Sequence, residues 1–221
     1  MAVLSNETIQ ELLAPYVTSF GTGELPDSLI GQVSEYLDLL TRWNARVSLT
    51  AIRRPEQIVE RHFGESFFTG AQLASRLPDG AELLDYGSGP GFPGLPIQML
   101  LPGIRVTVAE SQAKKVTFLR EVIRTLGLGA EVWPRRVEEM PSERRFDAVT
   151  MRAVEKMAAT VEQGAERTRA GGWIAALVGG GIELTDAEEL LIPGSEHRRL
   201  LLWRNVPRGT LAENVPRGTH L

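Results

Sequence analysis

The sequence predicts an α/β fold, a doubly wound parallel sheet with an N-terminal helical extension. Three observations predict it. From position 81 onward, short apolar runs rich in strand formers alternate with stretches of helical periodicity, the pattern of βαβ units. Before position 80, apolar residues recur at three- and four-residue steps, so the first third reads as all-helical. The first strand-like run ends in "DYGSGPGFPG" (85–94), a loop that joins glycine's freedom at φ > 0 to proline's fixed φ. A loop both permissive and stiffened suits a preformed cradle for a ligand.

Taken in order, residues 5–19 and 27–45 are expected to form amphipathic helices. In the second, Leu29, Val33, Leu37, Leu40 and Trp43 make one apolar stripe, and Pro26-Asp27-Ser28 is a suitable helix start. A third helix is expected over about 55–75. These belong to an extension of residues 1–78. The core, 79–204, is expected to hold strands at 81–86, 104–110, 130–134, 146–151, 172–178 and 197–204. Helices are expected at 95–101, 113–127 and 154–170. The tail, 205–221, carries "NVPRGT" twice, at 205–210 and 214–219. Two six-residue copies are too few for a repeat architecture, and an extended or disordered tail is expected.

Composition narrows the function classes. At 221 residues and 43% hydrophobic, the chain can bury a substantial core. It has no cysteine, which removes disulfides, thiolate nucleophiles and thiolate metal sites, and suits a reducing cytosol. The N-terminus lacks the basic region and apolar core of a signal peptide, and no apolar run approaches a membrane span. A cytoplasmic protein with no membrane partner is expected. The net charge of −4 argues against a charge-driven nucleic-acid coat protein. Bases are nevertheless paired, at Arg53-Arg54, Lys114-Lys115, Arg135-Arg136, Arg144-Arg145 and Arg198-Arg199. Each pair is either solvated surface or part of a phosphate-binding face.

The loop lies at the carboxyl edge of the expected sheet, where doubly wound folds bind ligands. Gly87, Gly89 and Gly91 give a G-x-G-x-G spacing, and Asp85 closes the strand before them. Glu110 ends the second strand, 23 residues after Gly87, where an acid can accept both hydroxyls of a ribose. A dinucleotide would set its pyrophosphate at the helix start with a third glycine for close packing, but here that position carries the bulky Phe92. A ligand with a ribose, an adenine and an amino-acid tail fits better, and S-adenosylmethionine is such a ligand. A nicotinamide dehydrogenase is the weaker alternative.

Five blocks then resemble one known family in order and spacing: "YLDLLTRWNARVSLTAIRRPEQIVERHFGESF", "LLDYGSGPGFPGLPI", "ESQAKKVTFL", "RRVEEMP" and "FDAVTMRAV". They look like the RsmG family, also called glucose-inhibited division protein B, and the likeness runs from about Tyr36 to Val178. The resemblance implies a Rossmann-like methyltransferase sheet and methylation of N7 of a guanine in 16S ribosomal RNA. It implies cofactor contacts at Gly87, Phe92, Val137, Glu138 and Arg152, beside Asp85, Gly89 and Glu110 from the residues themselves. Val137 can pack on the adenine and Glu138 can read its edge. Arg152, ending the fourth strand, is the expected catalytic residue, binding the cofactor carboxylate or an RNA phosphate. An ion pair with Glu155 or Asp147 is its alternative role. The implied partner is 16S ribosomal RNA or a small-subunit assembly particle, and a monomer is expected.

Some positions depart from the family. Ser48-Leu49-Thr50 replaces its usual Asn-Leu-Thr, Glu65-Ser66 its Asp-Ser, and Val178 stands where a lysine tends to precede the glycine. The histidines, His62, His197 and His220, are scattered, so neither a metal set nor a nucleophile–base pair is expected. Guanine N7 has a lone pair and no proton, so it can attack a sulfonium methyl without a general base. Positioning and tolerance of positive charge then matter most, to which a carboxylate such as Asp85 can contribute. His62 is expected to be structural more than RNA-binding. Methylation of a small molecule or a protein, and a non-catalytic cofactor-binding assembly factor, remain alternatives.

Overall fold

Helix α1 (Asn6–Leu13) starts where the Ser5 hydroxyl accepts the Thr8 N–H at 3.2 Å, a serine N-cap. In this computed structural model, residues 3–21, 24–152, 157–179 and 186–206 are described. Helix α2 (Asp27–Asn44) buries the expected stripe, with Leu29, Val33, Leu37 and Leu40 in the core and Trp43 half-buried at its edge. The single helix expected over 55–75 is instead three pieces. These are α3 (Pro55–Ile58), a π-helical segment (Val59–Gly64) and α4 (Glu65–Ala74). The widened turn packs on the ring of Tyr16, which lies where a side chain on Gly64 would have to go.

The sheet has seven strands: β1 (Glu82–Tyr86), β2 (Arg105–Ala109), β3 (Glu131–Trp133), β4 (Phe146–Arg152), β5 (Thr168–Val178), β6 (Glu188–Leu191) and β7 (Arg199–Arg204). Their order is β3-β2-β1-β4-β5-β7-β6. Strands β1 to β5 run parallel and β7 antiparallel to its neighbours. Helices α5 (Gly94–Leu100) and α6 (Ala113–Leu126) follow β1 and β2, and α7 (Met157–Arg167) follows β4.

Side chains alternate across the sheet as a parallel strand requires. Leu83, Val106, Ala148 and Ala175 enter one core with α1, α2, α5 and α6. Leu84, Val149, Ile174 and Leu201 enter a second core with Val161 and Ala165 of α7. The doubly wound expectation is thus met, and the N-terminal helices share the larger core with the sheet.

The helix expected over 5–19 ends at Leu13 and continues as a 3₁₀ turn (Ala14–Tyr16), and the last strands also depart from expectation. Strand β5 begins at Thr168 rather than 172, taking residues assigned to the preceding helix, with a register shift against β4 between Phe146 and Ala148. Strand β6 was not expected. It is short and mostly exposed, so it shows no apolar run. The last strand starts at Arg199. The tail expectation for 207–221 lies outside the described residues. Among the described residues, no helix is long and apolar enough to cross a membrane.

Candidate active site

Strand β1 delivers Asp85 to the sheet's carboxyl edge, where the chain turns through Gly87, Gly89 and Gly91 at φ 67°, 58° and 100°. Asp85 lies beneath this turn with 0% exposure. Its Oδ2 accepts the Gly94 N–H at 2.9 Å and the Ser88 hydroxyl, while Oδ1 accepts the Thr150 hydroxyl from β4 at 3.0 Å. Gly94 is required by this approach, because a Cβ there would sit 2.6 Å from the Asp85 Cβ. Asp85 thus braces the loop and α5 from below.

Burial pushes the Asp85 carboxyl up to about 6, against the pull of its three donors. Because the native state holds this proton more tightly than the unfolded chain, whose Asp titrates near ~3.9, Asp85 stabilises the fold below about pH 4. That contribution falls as pH rises to about 6 and is flat above. Asp85→Asn, which keeps an acceptor for Gly94 and Ser88, should therefore gain stability relative to wild type across that interval, on the order of 2–3 kcal/mol. Denaturant titrations at several pH values would show it. A difference independent of pH would contradict the desolvated carboxyl.

Beyond the loop opens a cavity of about 160 Å³. Gly87, Glu110, Val137 and Glu138 line it together, with Tyr86 and the Arg135-Arg136 pair. No atom lies within 4 Å of the place a Gly87 side chain would occupy, so this wall is backbone facing open space. Glu110, buried just past β2, accepts the Gln112 N–H on Oε1 at 2.8 Å and has the Lys115 ammonium 4.0 Å from Oε2. Val137 opens a short 3₁₀ turn and is buried, giving an apolar wall. Glu138 is exposed and accepts the Tyr86 hydroxyl at 3.1 Å. An acid for ribose hydroxyls, an apolar wall for a base and an open backbone edge fit the adenosyl part of S-adenosylmethionine.

Phe92 and Arg152 stand apart from this group. Phe92 is buried between Tyr36 (centroids 5.2 Å, planes 16° apart) and His62 (4.8 Å, 18°), so its ring fastens the loop to α2 and the π-helical segment. Arg152 ends β4 and meets the stack at His62. Its Nη2 lies 3.0 Å from Glu65 Oε2 and donates to the Arg61 carbonyl at 2.6 Å. Its Nη1 donates to His62 Nδ1 at 2.8 Å. With Nδ1 accepting, Nε2–H of His62 donates to the Thr50 hydroxyl at 2.8 Å. Burial first, then Arg152 and Arg61, push the imidazole down to about 2, so His62 is a neutral spacer that aims Arg152. Asp147, one expected partner for Arg152, is instead 2.6 Å from Arg169. Glu155, the other, lies outside the described residues.

The basic pairs do not converge on one face. Arg53 donates to the Asn44 carbonyl at 3.0 Å and Arg54 lies 3.8 Å from Glu56. Arg144 pairs with Glu131 and Arg145 with the Glu166 carbonyl, ahead of β4 at the opposite edge of the sheet. Arg135-Arg136 flank the loop-side cavity, and Arg198-Arg199 flank Arg152. The buried Glu65, which three arginines approach, was missed as a functional residue. Its only sequence signal was the departure at Glu65-Ser66.

Comparisons with known proteins bear on the family and the fold. The family model described as "GidB: rRNA small subunit methyltransferase G" matches residues 29–190. The ribosomal RNA small subunit methyltransferase G of Stenotrophomonas maltophilia (strain K279a) is 37% identical over 190 residues, covering 80% of this chain and 87% of its own. A solved hypothetical protein of Thermus thermophilus superposes with a TM-score of 0.52 at 26% identity, over 60% of this chain and 80% of that one. A Pyrococcus furiosus methyltransferase shares the fold at a TM-score of 0.51 and 14% identity, over 61% and 79%. Fold and site define a methyltransferase that uses S-adenosylmethionine. The chain belongs to the rRNA small subunit methyltransferase G family.

Proposed function

We propose that this protein methylates N7 of a guanine in 16S ribosomal RNA, on the free RNA or on a small-subunit particle in the cytoplasm. S-adenosylmethionine, when bound, supplies the methyl group. Gly87 leaves room for the cofactor, Glu110 accepts its ribose hydroxyls, and Val137 and Glu138 border its adenine. The Tyr36–Phe92–His62 stack keeps the loop rigid, so that bound partners meet in line rather than by search. Arg152 faces the acceptor side as a fixed cation and is the proposed catalytic residue. One observation carries the choice of acceptor: beside Arg152 the titratable imidazole is neutral and already hydrogen-bonded at both nitrogens. A site so built removes no proton, which suits N7, a nucleophile with none to lose.

The single-turnover rate should accordingly be flat from about pH 7 to 8.5, because Asp85 titrates lower, near 6, and His62 near 2. A bell-shaped profile across this window would mean an acceptor that must be deprotonated. The function itself is tested by mapping N7-methylguanine in ribosomal RNA from cells with and without the gene. Loss of one modified guanine from 16S RNA alone is expected, and an unchanged pattern would refute the proposal.

A further inference from the structure

A second cavity, of about 320 Å³, is lined by Arg152 and by none of the glycine-loop residues. It is built where β4, β5 and β7 meet at the carboxyl edge. Arg152 ends β4, Leu177 and Val178 end β5, and Arg198 and Arg199 open β7, whose reversed direction brings its start to this edge. The two cavities share no lining residue.

The charges here do not balance. Arg61, Arg152, Arg198 and Arg199 line the cavity, and among the described residues their carboxylate partners are Glu65 and Glu189. Glu65, 3% exposed, takes three of them at once: Arg61 Nε at 3.0 Å, Arg152 Nη2 at 3.0 Å and Arg198 Nε at 2.6 Å. The Arg198 Nε is buried against Glu65 without donating a hydrogen bond to it, so what Arg198 can offer an anion is the rest of its guanidinium, whose side chain is 25% exposed. Guanidinium groups gathered at a half-dry place repel one another, and an anion entering the cavity relieves this. Val178 contributes an apolar wall, and the residue directly opposite it in register on β7 is Arg199. A cation on either position of such a cross-strand pair reaches the same space.

We infer that this cavity binds a backbone phosphate of the RNA substrate, with Arg198 and Arg199 as its donors and Glu65 as the counter-charge that holds them. The inference rests on the RNA-methylating function proposed above. An arginine fork matches phosphate oxygens two at a time. The competing anion is the cofactor's carboxylate. It is disfavoured because this cavity shares no lining residue with the one beside Gly87 and Glu110.

The test uses the full chain, labelled 16S RNA transcript and S-adenosylhomocysteine. Arg199→Ala removes a cation whose partner, Glu189, is about half exposed, so the fold should survive. Arg198→Ala is the second variant. Each should weaken RNA binding about tenfold and flatten the dependence of log K on log salt by about 0.7–0.9, with S-adenosylhomocysteine affinity within twofold of wild type. Adding Val178→Lys to Arg199→Ala should restore most of the lost RNA affinity and slope. Unchanged RNA affinity and slope in both variants, while wild type binds RNA, would overturn the phosphate site alone. A loss of S-adenosylhomocysteine affinity with RNA affinity intact would assign the cavity to the cofactor's carboxylate instead. Failure of the wild-type protein to bind RNA at all would refute the proposed function and this site with it.

Discussion

Glu65→Gln should lower stability by about 3–5 kcal/mol, the range for breaking a buried ion pair by removing one partner. The carboxylate is nearly inaccessible and serves Arg61, Arg152 and Arg198. A neutral amide leaves their charge uncompensated and turns an N–H toward groups that only donate. For a chain of this size, each kcal/mol shifts the midpoint by roughly 2–4 °C, so thermal unfolding should move down by about 10 °C. Glu65→Asp keeps the charge on a shorter arm and should lose less. If Glu65→Gln melts like wild type, the arginines are satisfied by water, and Glu65 holds nothing in place.

Gly91→Ala should be almost as damaging, but through the loop. Gly91 has φ 100°, a conformation that costs a residue with a side chain about 1–3 kcal/mol. The added carbon would also fall on the Tyr36 hydroxyl and 2.8 Å from Leu95 Cδ1. That hydroxyl donates to the Pro90 carbonyl, and Tyr36 is fully buried against Phe92 and Phe63. Nothing nearby yields cheaply, so overpacking adds about 1–3 kcal/mol more. Cofactor affinity should fall with stability, because the loop and its brace shift together. A variant with unchanged affinity and melting point would show that the loop is adaptable rather than preformed.

Residues whose position is set by their own strand and turn were legible in the sequence. Glu110 follows β2 wherever that strand ends, and Gly87, Val137 and Glu138 follow β1 and β3 in the same way. All four line one cavity. Alternating runs of helix and strand likewise revealed the sheet, since each strand buried on both faces must be apolar. What escaped depends on distant partners or on geometry without a compositional mark. Nothing in residues 55–75 marks a π turn, yet that turn sets Arg61, His62 and Glu65 around Arg152. The burial of Glu65 depends in part on Arg198, which lies far along the chain and arrives only through the reversed β7. Asp85 and Phe92 were singled out as cofactor contacts. The structure shows what else they do: one braces the loop from beneath and the other fastens its flank. Strand β6 was invisible because its "EELL" is largely exposed on the sheet's outer edge.

Methyl transfer to guanine N7 is tested most directly with purified protein, S-adenosylmethionine labelled at its methyl group, and small-subunit particles or 16S RNA from cells lacking the gene. After digestion, the label should appear in the RNA as 7-methylguanosine, at no more than one per molecule. Glu110→Ala, which removes a charged acceptor worth about 1.5–3 kcal/mol, should need at least tenfold more cofactor to give the same product. Label in another nucleoside, in protein or in a small molecule, with the RNA left unmodified, would contradict the assignment.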